Sequence, residues 1–396
     1  MESRKHRDGL TRRDFLRRAA AGAAATVGAA SGLGIALPEM ASGWAATPGS
    51  MKRRTLGRTE LKVSELGLGT IKTNSAAVIH RALDLGINYF DTAECYQGGN
   101  SEIRLGQALK GRRDKAVVAT KWHISQGSKP GDLLASLDES LQRLGMDYVE
   151  LIQIHGARNA AQAESDVVWE AFTEARKAGK ARFNGLSTHS HQVEVMQAAV
   201  KCGRYDAVLP SHNALTADTT GPAIAQAHAA GVGVIVMKGL APAHQGKDNQ
   251  ALAGLRGSLY QRSIQWVLKD PSVATVIVDM PTFEELEEDV AAVTHPPTAA
   301  ALDEFERSVR QASAGTCRLC GACTGQCPAG VQVADIMRYQ LYHDGYGDRA
   351  RAGELYRALP ASASAAACLA CGECRVVCPW GIAVRPRLEK LHGLLV

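Results

Sequence analysis

Cysteine is nearly absent from the first 316 residues, where only Cys95 and Cys202 occur, each alone in apolar surroundings. Isolated cysteines of this kind are more often inert core residues than reactive thiols. Basic charge is also scarce once the leader is set aside. The formal net charge is +5, and Arg4, Lys5, Arg7, Arg12, Arg13, Arg17 and Arg18 supply nearly all of it. The remaining chain has no basic surplus for a nucleic-acid partner. No strongly apolar run of membrane-spanning length is present, because the stretch from Ala19 to Leu37 is mostly Ala and Gly. Finally, no G-x-G-x-x-G follows the first strand-like run, which counts against an open, doubly wound dinucleotide-binding sheet.

What is there begins with length. A chain of 396 residues that is 45% hydrophobic can bury a sizeable core and is too long for one ordinary domain, so two domains and a tail are expected. Residues 1–46 form the tail. Thr11-Arg12-Arg13-Asp14-Phe15-Leu16, the weakly apolar Ala/Gly run and the small residues around Gly43-Trp44-Ala45 resemble a twin-arginine export signal, with cleavage expected after Ala45 or Ala46. An uncleaved anchor or a basic, disordered leader is the alternative. The resemblance implies a periplasmic protein, or one on the outer face of the cytoplasmic membrane, with no stable membrane span after cleavage.

Residues 51–296 repeat one pattern: a short apolar run, a turn, an amphipathic stretch, another apolar run. The apolar runs are Leu66 to Thr70, Ile87 to Asp91, Ala116 to Lys121, Val149 to His155, Ala181 to Ser187, Ala207 to Pro210, Val232 to Met237 and Val273 to Val278. Between them lie helical patterns such as Leu133 to Leu144, where Leu134, Leu137, Leu141 and Leu144 share one face. Eight such alternations predict an α/β fold of the (β/α)8 TIM-barrel type, and strands without clean alternation suit a parallel sheet buried on both faces. Residues 297–314 read as a linker helix.

Residues 315–396 hold the other eight cysteines. Cys317-x2-Cys320-x2-Cys323-x3-Cys327-Pro328 and Cys368-x2-Cys371-x2-Cys374-x3-Cys378-Pro379 each match the bacterial ferredoxin pattern. In that pattern three thiolates of one run take three corners of a cubane and the remote fourth cysteine completes the other cluster, with Gly321 and Gly372 easing the wrapping. Cys317, Cys320, Cys323 and Cys378 are therefore paired on one [4Fe-4S] cluster, and Cys368, Cys371, Cys374 and Cys327 on the second. A pair of structural zinc sites is the alternative, but zinc has no need of a crossed set. Helical stretches at Val333 to Tyr342 and Ala350 to Leu359 separate the runs, so the domain is expected to be small, mostly α-helical and ferredoxin-like.

Within the barrel region several stretches resemble the aldo-keto reductase family: Arg54-Thr55-Leu56-Gly57-Arg58-Thr59, Leu66-Gly67-Leu68-Gly69-Thr70, Phe90-Asp91-Thr92-Ala93-Glu94-Cys95-Tyr96, Asn100-Ser101-Glu102 with Leu105-Gly106, and Ala119-Thr120-Lys121. The resemblance implies a catalytic tetrad of Asp91, Tyr96, Lys121 and His155. Tyr96 would give a proton, Lys121 and Asp91 would tune it, and His155 would orient a carbonyl. The placement agrees with the barrel rule that chemistry sits at the C-terminal ends of the strands. A phenol with a pKa near ~10 needs such help to donate at neutral pH. His123, His189, His212 and His244 also fall in loops on that face, as polar lining, substrate contacts or a metal site.

The nicotinamide contacts the resemblance implies are altered. The Ser-Asn pair that holds a carboxamide matches Ser187-Thr188, a glutamine aligns with Leu209, and a stacking aromatic aligns with Met237. Beyond the eighth strand, where basic residues should meet a 2'-phosphate, the chain reads Val278-Asp279-Met280-Pro281-Thr282-Phe283-Glu284-Glu285. Acidic groups there repel phosphate. The expectation is an exported iron-sulfur oxidoreductase of aldo-keto reductase type, exchanging electrons with an external partner through two [4Fe-4S] clusters and acting on a small carbonyl or alcohol. The rival readings are an NAD(P)H-dependent reductase with accessory clusters and an electron-transfer protein whose barrel does not catalyse.

Overall fold

The computed structural model describes residues 51–396, apart from 126, 247–251, 253, 254, 256, 296 and 314. The twin-arginine stretch and its expected cleavage site lie outside the described residues. A short antiparallel hairpin, β1 (Arg53–Thr55) and β2 (Lys62–Ser64), precedes a closed parallel barrel. The barrel strands are β3 (Leu66–Gly69), β4 (Tyr89–Asp91), β5 (Val117–Trp122), β6 (Val149–Ala157), β7 (Ala181–Thr188), β8 (Ala207–Pro210), β9 (Gly233–Val236) and β10 (Thr275–Asp279). They run in sequence order around the ring, and β10 closes it against β3. Every apolar run read from the sequence thus carries a barrel strand.

The hairpin, which the sequence reading did not foresee, plugs the N-terminal end of the barrel. Leu56 and Val63 join Tyr89, Leu151 and Ile235 in the interior cluster. Gly57 lies so close to the start of β9 that a Cβ there would sit 2.2 Å from the Gly233 nitrogen, and its φ is +52°. Arg54 ties the plug to the barrel, donating to the Glu65 carboxylate and to the carbonyls of Leu268, Asp270 and Val273.

The helix Pro130–Leu144 forms where leucines recur on one face, with Pro130 in its first turn and Gly145 turning left-handed at its end. It buries Leu133, Leu137, Leu141 and Leu144 against the barrel. The helix Ala299–Ala312 is packed in the same way, with Leu302, Phe305 and Val309 in the barrel's main core and Glu306 accepting from Trp266. The C-terminal region is helical: Val333–Gln340 runs into a π turn, Leu341–Gly345, followed by Arg349–Arg357 and Val384–Leu395. It has its own core, including Ile336, Met337, Tyr356, Leu388 and Leu391. Among the described residues no helix is long and apolar enough to cross a membrane.

The motif Leu105-Gly106 has a packing reason. A Cβ at Gly106 would lie 1.9 Å from the Leu144 carbonyl oxygen, a backbone atom that cannot swing aside. Gly106→Ala is therefore expected to cost ~1–3 kcal/mol and to lower the apparent melting temperature by roughly 2–10 °C. Gly131→Ala, with open space around it, should leave the melting curve unchanged.

Candidate active site and cysteine cages

Parallel closure brings Asp91, Lys121 and His155 together, because β4, β5 and β6 are neighbours in the ring. The Lys121 ammonium donates to Asp91 and to the Thr92 carbonyl, and both side chains of the pair are 2% exposed. Gln153, one strand over, adds a bond to the other Asp91 oxygen at 3.2 Å. Burial raises the Asp91 carboxyl, while Lys121 and Gln153 pull it back. Tyr96 opens a 3-10 turn whose next residues, Gln97 and Gly98, are left-handed, and this bend turns the phenol ring back toward the barrel. Lys121 Nζ lies 4.9 Å from its ring centre, and the His155 ring meets it edge-on at 5.6 Å.

The turn is held from behind by the Asn100-Ser101-Glu102 stretch. Ser101 bridges Thr70 and Thr92 at the ends of two strands, and buried Glu102 accepts from Thr120 and from Arg143. Burial, reinforced by Asp91, Cys95, Asp279 and Tyr342, raises the Tyr96 phenol well above its ordinary value, so it keeps its proton at neutral pH. Burial and the nearby Lys121 hold His155 neutral.

These four residues line a cavity of about 140 Å³ that also takes in Ser187, Leu209, Met237 and Asp279. Its outer wall comes from the C-terminal domain: Tyr342, Tyr346, Asp348 and Arg351. Tyr342 sits in the π turn, an element frequent at functional sites. Its hydroxyl is 3.2 Å from Lys238 Nζ, and the ammonium lies 4.8 Å over its ring. Lys238 holds a left-handed backbone at φ +57°, fixed by Asn213 donating to its carbonyl. Sequence reasoning missed Lys238, Tyr342 and Tyr346, because nothing in local spacing links residues a hundred positions apart.

The remaining histidines divide. His212 is buried away from the cavity, bonded to Thr220 and pushed down to about 4 by burial. His244 packs against Tyr260 and Tyr346. His123 stands at the rim beside His155, ring centres 4.4 Å apart, and Cys95 and Glu94 raise it to about 9. Cys95 is not an isolated core residue: its Sγ is 3.7 Å from His155 Nδ1. His189 lines the cavity and is half-buried, and its buried Nδ1 has no partner among the described residues.

His189 also lines a second, smaller cavity of about 30 Å³, walled by Cys317, Cys320, Cys323 and Cys378. A third, of about 20 Å³, is walled by Cys327, Cys368, Cys371 and Cys374. The chain thus forms two cages, each closed by the last cysteine of the other run. None of the ten cysteines is in a disulfide. Burial pushes the Cys317 thiol up to about 11 and Cys323 to about 12, so these groups become thiolates together only around a cation. The Leu319 amide and the Trp380 indole point N–H groups at Cys317 and Cys320, each 3.4 Å from sulfur. Gly321 is left-handed, and a Cβ there would press on the His191 nitrogen at 2.9 Å, so this loop lies directly against the barrel. Gly372, its counterpart, has open space and no positive φ, and the wrapping of the second loop does not require glycine.

The altered nicotinamide contacts can be tested in place. Ser187 Oγ donates to the Ile154 carbonyl and accepts from the Gly156 amide, and Thr188 Oγ1 lies 2.8 Å from the carbonyls of Ala157 and Ser190. Both hydroxyls are occupied by the barrel's own backbone. Leu209 and Met237 offer only apolar surface to the cavity, and the helix after β10 opens with Glu284 and Glu285. Leu209 and Met237 thus offer neither the amide nor the flat ring that the resemblance implies for holding a nicotinamide.

Comparison with known proteins places both parts. Residues 65–256 match the aldo/keto reductase family, and residues 316–383 match a 4Fe-4S dicluster domain. The oxidoreductase YqkF of Bacillus subtilis is 29% identical over 287 residues, 61% of this chain and 91% of its own length. A Pseudomonas aeruginosa structure described as an aldo-keto reductase is 30% identical, with a TM-score of 0.51 over 61% of this chain and 94% of that one. The holo form of an aldo-keto reductase from Bacillus halodurans is 27% identical, with a TM-score of 0.57 over 65% of this chain and 96% of that one. The cavity at the strand ends and the two cysteine cages therefore sit in an oxidoreductase that belongs to the aldo/keto reductase family and carries a 4Fe-4S dicluster domain.

Proposed function

We propose that the protein is an exported oxidoreductase that reduces a small carbonyl compound, or oxidises the matching alcohol, with electrons exchanged through two [4Fe-4S] clusters rather than with a nicotinamide. The observation that carries this reading is His189, one side chain that lines both the tetrad cavity and the first cysteine cage. Cys317, Cys320, Cys323 and Cys378 would hold the inner cluster, and Cys327, Cys368, Cys371 and Cys374 the outer one. Bound there, each cluster supplies one-electron carriage at a potential set by its protein surroundings.

The chain's own residues do the rest. Carbonyl reduction takes two electrons and two protons. The electrons would arrive one at a time through the clusters, and solvent would supply the proton that ends on carbon. Tyr96 holds the proton for the substrate oxygen, with Lys121, anchored by Asp91, placing positive charge beneath the phenol and stabilising the tyrosinate left after transfer. His155, neutral, can donate one N–H to the same oxygen. Tyr342 and Tyr346 cover the cavity and exclude water, which strengthens each of these interactions. For an external redox partner the domain offers Leu369 and Val377, 60% and 69% exposed and next in the chain to Cys368 and Cys378, together with exposed Cys374. Export through the twin-arginine route, which carries folded proteins, suits a chain that receives its clusters before it crosses the membrane, and a nicotinamide pool is not expected outside the cell.

Anaerobically isolated wild type should couple reduced viologen oxidation to carbonyl reduction and leave NADPH and NADH fluorescence unchanged on titration. Tyr96→Phe should lower kcat by ~10²–10⁴-fold with iron content intact. Tight NADPH binding would overturn the electron source, and full activity in Tyr96→Phe the tetrad. For the cages, Cys378→Ala should abolish the same cluster signal in electron paramagnetic resonance as Cys320→Ala, and Cys327→Ala the same one as Cys371→Ala, each leaving about four of about eight irons. Pairing by run instead of across runs would reverse that grouping. Replacing Arg12 and Arg13 together by Lys should trap the protein in the cytoplasmic fraction.

A further inference from the structure

Three neighbouring barrel strands deliver metal-binding side chains to one point on the rim, outside both cysteine cages. Cys95 follows β4, His123 follows β5 and His155 lies near the end of β6. One ligand atom from each, the Cys95 Sγ and one nitrogen of each imidazole, lies within 4.8 Å of the other two. The Cys95 Sγ to His155 Nδ1 separation is 3.7 Å. Zinc bonds of about 2.3 Å to sulfur and about 2.0–2.1 Å to nitrogen put tetrahedral ligand atoms roughly 3.3–3.6 Å apart, so this pair already stands near ligand spacing and the others need only a modest side-chain rotation.

A second feature supports the same reading. His123 Nδ1 and its backbone amide both meet Glu94 Oε1 at 2.8 Å, and the other Glu94 oxygen is held by Ser136. A carboxylate that holds Nδ1 leaves the opposite nitrogen, Nε2, as the one a metal would take, the ion displacing any proton carried there, and a carboxylate behind the ring is the usual outer arrangement around a metal-bound histidine. Ordinary rim packing has no need for a thiol and two imidazoles to converge while a carboxylate orients one of them.

We propose that Cys95, His123 and His155 form a site for a zinc-class divalent ion at the mouth of the tetrad cavity, with Glu94 as the positioning residue for His123. One thiolate and two imidazoles are a donor set zinc favours, and three protein ligands leave a tetrahedral ion one position short. His155 also lines the substrate cavity, so the fourth position is available to an oxygen ligand, either water or the carbonyl or hydroxyl of a bound substrate. An ion there would polarise that oxygen as a Lewis acid, while the other ring nitrogen of His155 keeps its N–H for the substrate. The site does not depend on where the electrons come from.

The test uses full-length protein isolated anaerobically with its clusters in place and dialysed against Zn²⁺. Wild type is expected to retain about one zinc per chain, and zinc-edge X-ray absorption to report one sulfur and two imidazole nitrogens in the ligand shell. The double variant Cys95→Ala with His123→Ala should lose that zinc while keeping its iron. Glu94→Gln should weaken zinc affinity ~10–100-fold at unchanged iron content. A shell of sulfur alone would mean that zinc had entered the cysteine cages and would overturn the proposal. So would zinc retained by the double variant, or wild type with no stoichiometric zinc. Viologen-coupled turnover is read separately, so failure of the metal site is distinguishable from failure of the electron source.

Discussion

Closure of the ring is the constraint on which the rest depends. β10 pairs with β3 residue for residue from Val276–Leu66 to Asp279–Gly69, and because every strand is parallel, closure delivers all the strand C-termini to one rim. Asp91, Lys121 and His155 then meet without any loop having to bring them. The opposite rim is sealed by the Leu56 and Val63 plug, so the two ends of the barrel carry separate duties. The catalytic end can hold buried charge because the other end and the outer helices supply the apolar core.

Buried charge at that rim is extensive, and it is arranged in pairs. The Lys121 ammonium lies on Asp91, and Lys238 lies against Tyr342, where burial lowers the amine while the ammonium draws the phenol below its ordinary range. Asp279 accepts from the Lys72 amide and is pushed up to about 6 by burial. Charges removed from water need partners of this kind, since the penalty for an unpaired buried ion is several kcal/mol. The partners of Lys238 and Lys72 come from the C-terminal domain: Tyr342, the Tyr346 carbonyl and Asp348. Docking of that domain thus supplies partners for two half-buried lysines of the rim as well as an apolar contact through Leu319 and Leu341 on Ala241.

The sequence made the barrel legible because its signals are local. Ala207 to Pro210 was read as a strand and is one without a change of boundary, while the eighth run starts two residues late, at Thr275, since Val273 and Ala274 lie before the ladder forms. The two cysteine runs were legible for the same reason, whereas their crossed grouping came from the ferredoxin pattern they match, because spacing within a run says nothing of a fourth thiol about fifty residues away. What escaped depends on convergence in space. Cys95 looks like a solitary apolar-context cysteine until β5 and β6 bring His123 and His155 beside it. Lys238 looks like a surface lysine following a strand until a π turn a hundred residues later lays two tyrosine rings over it. Gly321 and Gly372 occupy equivalent places in matching runs, yet only Gly321 is constrained, because only its loop presses on the barrel.

That last asymmetry orders the two cages. The loop carrying Cys317, Cys320 and Cys323 is pinned between the Ser190–His191 backbone and Trp380, with Arg318 stacked 3.7 Å over the indole. His189 stands on the far side of the contact, inside the tetrad cavity. The second cage has no barrel residue among its lining and opens beside exposed Cys374. A domain fastened by one cage and exposed at the other has an inner and an outer end. The fastening also positions the π turn, since Leu319 from the inner loop and Leu341 from the turn share one small apolar cluster. Any shift of the inner loop would be felt at Tyr342, and through it at Lys238 and the cavity wall. The same contact that brings the cage close to the substrate cavity thus keeps that cavity closed, which makes the barrel rim and the inner cage a single structural unit.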